Sequence, residues 1–323
     1  MAKAACDTGV ARKPIIDCDA YSASLERMLG PSRKVMHFVT REARRDKPRP
    51  ILFPEGEHDS IIRAARDIIE LHIAMPVLSG RETESLARAL RLRIEQVDFE
   101  LVNVPNESNE KAYAESLYRL RQRKGVTLPR ASAAHLLVLK DRIFFCADTM
   151  VNIQPTAEEL AEIDGLAADL ARTFDTDPKI AMLAFSSVGS VPHPISTRVA
   201  HAVEIVRRKI SGLVIDGEMH LDTAVVEEIV SKNGRHSRIN GDANVLVFPD
   251  LTSGNIGDKL VQRLGNADAI GPILMGLKKP VNVLQHGMTV AGIVNLTAST
   301  AVPGDLQASV ERPAPVPVGA RQV

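Results

Sequence analysis

Two stretches of this sequence put hydroxyls and small residues directly behind a short apolar run, where a strand would end and a helix begin. One is Ser186-Ser187-Val188-Gly189-Ser190, which follows the run ending at Phe185. The other is Pro249-Asp250 with Thr252-Ser253-Gly254, which follows Val245-Leu246-Val247-Phe248. Such a turn places free backbone N–H groups and the positive end of a helix dipole at the carboxyl edge of a sheet, where phosphate groups commonly bind. Ser186, Ser187, Gly189 and Ser190 on the first turn, and Asp250, Ser253 and Asn255 on the second, are candidates for contact with a phosphate-bearing ligand. Asn255 is the favoured contact and Lys259 the solvated side chain. A plain strand-to-helix crossover with no ligand has the same periodicity and stays open. A third stretch, Pro54-Glu55-Gly56-Glu57, sets two carboxylates at the end of a strand, either for acid–base work or, more often in such places, to cap the next helix.

Other chemistries lack their signatures. The sequence has no CxxC, no HExxH and no clustered Cys and His, so no metal spacing is present. No GxGxxG and no GxxxxGK[ST] follows a strand. The nine histidines are scattered, and the three cysteines are odd in number and far apart, against a disulfide framework. Cys6 and Cys18 fall in the leader and Cys146 in an apolar run. Forty basic and forty acidic side chains leave no global field to attract nucleic acid or a membrane surface. No apolar run approaches membrane-spanning length and no signal-peptide core is seen, so a cytoplasmic location is the expectation.

The elements that must position these residues alternate along the chain. The pattern predicts a helix over 31–46 and a strand at 51–53. A helix carrying Ile61, Ile62, Ala65, Ile68 and Ile69 follows, then strands at 75–78 and 97–102 and helices at 82–93 and 107–124. Ala133 to Leu139 and Ile143 to Cys146 read as two strands joined by a polar turn. Thr156 caps a helix running to about 174, strands follow at 180–185 and 213–215, and helices at 194–208 and 222–230. Ile256, Leu260, Val261 and Leu264 recur at helical spacing after the second turn. Gly271-Pro272, Gly276, Lys279-Pro280 and Gly287 read as a loop system across the same sheet edge, with Gly271 as a further substrate contact. A helix over 290–301 closes the ordered part, and the Pro- and Ala-rich stretch from 303 reads as a disordered tail. The expected fold class is α/β: two three-layer domains with parallel sheets and a cleft between them. Residues 31–150 form the first and residues 151–287 the second; 1–30 is a leader and 303–323 the tail, and the family resemblance described next implies that 288–302 packs back on the first.

The stretch from Gly241 to Gly287, with Ala181 to Ser190 and Ile215-Asp216-Gly217-Glu218, resembles the phosphate acetyl/butyryl transferase (phosphotransacetylase) family in order and spacing over most of the chain. Val151 to Leu160 and Val281 to Gly287 are most similar to the version fused behind the catalytic half of bacterial NADP-dependent malic enzymes. Ala2 to Ile15 resembles the end of that catalytic half. The resemblance has one large break. Between the equivalents of Thr127 and Arg130 the relatives carry a strand, a Gly- and Ser/Thr-rich loop bearing an arginine, and a helix. At least one βαβ unit, ~30 or more residues, is missing here.

The reaction implied by the resemblance is attack of a phosphate oxygen on the carbonyl of acetyl-CoA, giving acetyl phosphate and free CoA. It needs a cationic clamp, an oxyanion donor and a base for the thiol. By the resemblance Arg121 keeps one clamp arginine, and the second lies on the missing segment. A Ser-Arg pair of the family falls on Gln285 and His286, and a following Asp on Gly292. Loss of the acid–base group is worth ~10²–10⁴-fold, and loss of an oxyanion donor ~10²–10³-fold. The implied outcome is little or no transferase turnover. The expected role is an acyl-CoA-binding regulatory and oligomerisation module of malic-enzyme type, with an active acyltransferase on a rearranged site, or a non-functional remnant, as alternatives. Acetyl-CoA or another acyl-CoA and phosphate are the expected ligands, with no tightly bound cofactor or metal. A homodimer or higher homo-oligomer, and a malic enzyme catalytic half, are the expected partners.

Overall fold

The computed structural model describes residues 31–44, 47–81, 85, 88–89, 91–92, 99–103, 131–233, 237–277 and 279–302. Arg121, the leader, the tail and the helix expected at 107–124 lie outside them, as does most of the helix expected at 82–93.

Pro31–Ala43 forms α1. β1 (Pro50–Phe53), β2 (Met75–Gly80) and β3 (Glu100–Asn103) pair in parallel, in that order. The crossover between β1 and β2 is α2 (Asp59–Glu70), whose Ile61, Ile62, Ala65 and Ile68 are buried as their spacing predicts. His58 caps it, Nδ1 accepting from the Ser60 N–H at 3.3 Å.

The second sheet has six strands. These are β4 (Ser132–Val138), β5 (Ile143–Ala147), β6 (Lys179–Leu183), β7 (Val214–Met219), β8 (Val245–Val247) and β9 (Asp268–Met275). Their spatial order is β7-β6-β8-β5-β4-β9. The pairs β7–β6, β6–β8 and β8–β5 are parallel, while β4 is antiparallel to both β5 and β9. Five strands therefore point the same way and β4 alone runs against them, so the sheets are parallel-dominated as the α/β class requires. The boundary expected at 150 needs correction, because β4 and β5 belong to the second sheet. All seven residues of β4 are buried, and such a strand needs cover on both faces, which the helices on either side of the larger sheet supply.

A second correction falls on 268–275, which is a strand and not a loop. Ala269-Ile270 and Ile273-Leu274-Met275 supply its apolar residues, and its place at the sheet edge tolerates Pro272, which has no N–H to donate.

Helices cover both faces. On one lie α3 (Ala157–Thr173) and α4 (Pro194–Lys209), packed on Leu136, Phe145, Ile180, Met182 and Val245. On the other lie α5 (Leu221–Val225) and α7 (Leu251–Leu264), over Leu137, Cys146, Ala181 and Leu246. Between these two, α6 spans Glu227–Asn233, so the helix expected at 222–230 is two short ones. Thr156 closes a capping box on α3: its hydroxyl accepts from the Glu159 N–H at 3.3 Å and the Glu159 carboxylate accepts from the Thr156 N–H at 2.9 Å. The last helix, α8 (Val290–Ala301), lies against α1 and α2 and so ties the two sheets together. Among the described residues no helix is long and apolar enough to cross a membrane.

Candidate functional site

The site is built on an irregularity in the β4–β9 pair. Ala134 faces Ile273 and Leu136 faces Ile270, so Gly271 and Pro272 together oppose His135. This is a β-bulge, a device that re-aims a side chain beside a site. Gly271 has φ +149°, and a Cβ there would lie 2.7 Å from His135 Cδ2, so both the backbone angle and the space demand glycine.

His135 and Gly271 line a cavity of about 530 Å³. Its remaining walls come from the end of α7 (Gln262, Arg263), the loop before α8 (Gln285, His286) and Gly292 in the first turn of α8, with Met36 of α1 closing it from the smaller sheet's side. The sequence-derived candidates Gln285, His286 and Gly271 are thus brought together.

Local hydrogen bonds fix the loop. Asn282 accepts from the Leu274 N–H at 3.0 Å and donates to Thr300 Oγ1 at 2.7 Å, pinning the chain between β9 and α8. Met288 N–H returns to the Gln285 carbonyl at 3.1 Å. The Gln285 amide reaches Met150 Sδ at 3.4 Å. Met150 sits on a turn organised by Asp148, a nearly fully buried carboxylate that accepts from the N–H groups of Met150, Val151 and Asn152 at 2.8–3.0 Å. Thr289 caps α8 by accepting the Gly292 N–H at 3.1 Å.

Helical spacing leaves open which face of α7 turns inward. Its apolar stripe faces outward, with Ile256 54%, Leu260 50% and Leu264 78% exposed. Gly254 and Asp258 face the sheet instead. Gly254 is there because α7 runs against the end of β5, where a Cβ would come within 2.2 Å of the Asp148 carbonyl oxygen. Asp258 is fully buried, and its Oδ2 stands 3.6 Å from His135 Nδ1. Nδ1 also contacts Thr149 Oγ1 at 2.9 Å. Burial lowers the His135 pKa, Asp258 opposes that shift, and Lys259 adds to it. Burial pushes the Cys146 thiol far up, with Asp258 adding to the effect, so this cysteine is inert core. The sequence carried no local signal for His135 or Asp258.

The two strand-to-helix turns lie elsewhere. In the first, Glu218 takes the place an anion would fill: its Oε1 accepts from Ser186 Oγ at 3.0 Å and from the Gly189 N–H at 2.6 Å. Ser187 N–H goes to Ser190 Oγ, Val191 N–H to Ser186 Oγ, and Ser187 Oγ receives the His220 N–H. In the second, Asp250 caps α7, its Oδ1 accepting from the Ser253 N–H at 2.8 Å. Asn255 donates to the Thr149 carbonyl at 3.3 Å, directly behind His135. None of these residues lines the cavity. Glu57 accepts from the Arg81 N–H at 2.7 Å and its guanidinium at 3.2 Å, so it holds the end of β2 and does not cap α2.

A solved phosphotransacetylase from Streptococcus pyogenes superposes with a TM-score of 0.76 at 31% identity, over 84% of this chain and 98% of that one. The NADP-dependent malic enzyme of Escherichia coli is 33% identical over 365 aligned positions, covering 95% of this chain and 48% of the enzyme. The chain therefore spans about half the length of the malic enzymes it matches. The phosphate acetyltransferase of Clostridium acetobutylicum is 33% identical over 80% of this chain and 95% of its own length. The 365-position alignment of this chain to the Escherichia coli enzyme exceeds the chain's 323 residues, so that enzyme carries residues with no counterpart here. A family model described as phosphate acetyl/butaryl transferase matches in two pieces, residues 34–135 and 129–301, which overlap where the sequence break was placed. On this match, and on a fold that agrees with it, the chain belongs to the phosphate acetyl/butaryl transferase family.

Proposed function

We propose that this chain binds an acyl-CoA in the cavity beside His135 and that acyl transfer to phosphate is strongly weakened there. In this reading it works in the cytoplasm as a regulatory and oligomerising module of malic-enzyme type. The observation that carries the reading is the composition of the cavity wall, where Gln285, His286 and Gly292 stand together. By the family resemblance these positions hold a serine, an arginine and an aspartate. Here an amide, an imidazole and a bare backbone replace them, leaving a volume suited to a small ligand but no carboxylate at 292. The module reading draws on the match to malic enzymes over almost the whole chain. Self-association draws on the outward stripe of Ile256, Leu260 and Leu264.

The test is a thermal melt with and without acetyl-CoA, followed by thiol release from the same sample with phosphate added. A ligand that binds only the folded state raises the melting temperature. An upward shift with thiol release far below that of an intact phosphotransacetylase is the expected result. Release at an ordinary enzymatic rate overturns the weakening, and a cooperative melt blind to acetyl-CoA overturns the binding.

A further inference from the structure

Asp258 is the least expected side chain in the larger domain. It sits fully buried on the sheet-facing side of α7, where an apolar residue would serve packing better. Its Oδ1 accepts from Gln262 Nε2 at 2.7 Å, but its Oδ2 has no hydrogen-bond partner and is directed toward His135 Nδ1. A buried carboxylate with a free oxygen is destabilising by itself. The Thr149 hydroxyl donates to the Ala133 carbonyl at 3.5 Å and so accepts from Nδ1, which selects the tautomer with the proton on Nδ1, with Asp258 Oδ2 3.6 Å away on the same side. The lone pair then lies on Nε2, next to the Cδ2 that Gly271 approaches, and both residues line the cavity.

The charged and titratable groups around this imidazole come from every side. Asp258 and Lys259 belong to α7, with Lys259 Nζ 3.6 Å from Asp258 Oδ2. Cys146 of β5 lies on the same face of the sheet as α7. Arg263, Asp268 and His286 share the cavity with it. Burial outweighs the carboxylate, so His135 is neutral at neutral pH and able to take a proton.

We propose that His135 Nε2 is the proton carrier for residual acyl transfer from a CoA thioester to phosphate, standing in for the carboxylate that Gly292 cannot supply, with Asp258 and Thr149 as positioning residues. This rests on acyl-CoA binding in the cavity as proposed above. In the step, an oxygen of hydrogen phosphate forms a bond to the thioester carbonyl carbon and its proton passes to Nε2. The C–S bond breaks, the electron pair leaves on sulfur, and Nε2 returns the proton to the thiolate. The products are acyl phosphate and CoA thiol, with no other reactant consumed. A neutral imidazole whose far nitrogen is hydrogen-bonded to Thr149, with the Asp258 carboxylate 3.6 Å away, suits this work in both directions.

The experiment follows phosphate-dependent thiol release from acetyl-CoA across pH for the wild type, His135→Asn and Asp258→Asn, with a melt of each sample with and without acetyl-CoA. Asparagine at 135 keeps a polar atom near the Nδ1 position and removes Nε2. The expected result is weak turnover in the wild type that falls at low pH, with a limb below the ordinary imidazole value of about 6.5. His135→Asn should keep the acetyl-CoA shift and lose that turnover ~10²-fold or more. Asp258→Asn should move the acid limb to still lower pH, because the charge that favours imidazolium is gone; a purely structural role would not move it. Turnover in His135→Asn equal to wild type overturns the proposal. So does a wild type that shifts its melt with acetyl-CoA but releases no thiol, and that result leaves the binding reading standing. A melt without any shift removes the binding reading and this proposal with it. If His135→Asn does not fold, an unmoved limb in Asp258→Asn overturns it.

Discussion

The backbone of Gly271 passes the imidazole of His135 so closely that an added Cβ would lie 2.7 Å from Cδ2 and 3.0 Å from the Ala134 carbonyl oxygen. Gly271→Ala must therefore push the ring or open the bulge while holding a φ that L residues avoid. The expected loss is ~3 kcal/mol in a urea titration, together with loss of the acetyl-CoA shift. Gly287→Ala is the control, since it also has positive φ (+79°) but nothing within 4 Å of the new Cβ. It should lose only ~1–2 kcal/mol. Equal losses at the two positions would mean that the close approach to His135 does not matter.

Asp164 in α3 is a buried carboxyl with neither oxygen hydrogen-bonded, and burial raises its pKa well above the ordinary aspartate value. A raised native pKa means that the folded state holds a proton the unfolded chain has already released. The penalty is therefore absent below the unfolded value of about 3.9 and grows as pH rises through the interval between the two pKa values. Asp164→Asn, similar in shape and never charged, should be more stable than wild type at pH ~7 by at least about 1 kcal/mol, with the advantage shrinking toward pH ~4. Urea midpoints at the two pH values check this, and an advantage that grows on acidification would contradict the sign.

Much of this fold was legible because its signals are local. Thr156 with Glu159 is a capping box readable over four residues, and the helix at 290–301 has the bounds its composition implied. The misread parts depend on partners far along the chain. Which sheet receives β4 and β5 is decided by β8 and β9, and neither run says so by itself. Gly271-Pro272 looks like a loop until His135 is known to need a bulge opposite it. The Ser186–Ser190 turn reads as an anion site until Glu218 is found filling it. On α7 the apolar spacing gives the helix but not the face that turns inward. Of the four apolar residues Val261 packs inward, on a side set by the close approach of Gly254 to Asp148 and by Asp258.

Under the proposed reading, in which Gly292 stands where the family resemblance implies an aspartate, introducing that carboxylate tests which deficit limits the site. At Gly292 a Cβ would come within 2.9 Å of Met288 Cγ, a flexible side chain that can turn away, and an acidic residue in the first turn of α8 is favoured by the helix dipole. Gly292→Asp should thus stay within ~1 kcal/mol of wild type in stability. It should raise phosphate-dependent thiol release by ~10²-fold, and by a larger factor when His135→Asn is also present. No gain in either background would place the limiting deficit in the phosphate clamp.

The outward stripe on α7 gives the last prediction. Ile256, Leu260 and Leu264 recur every four residues on one face of a helix whose inner face is already set by Gly254 and Asp258. Leaving three such side chains in water forgoes on the order of 1.5–3 kcal/mol for each that could be buried. If a second copy covers them, the wild type sediments as a dimer or larger and its melting temperature rises with protein concentration. Leu260→Glu with Leu264→Glu should then give a monomer whose core is untouched, because both positions are already half or more exposed in the single chain. Sedimentation of wild type and double variant at matched concentrations decides between the outcomes. A wild type that stays monomeric at tens of micromolar, or a charged variant that still associates, would move the interface away from α7.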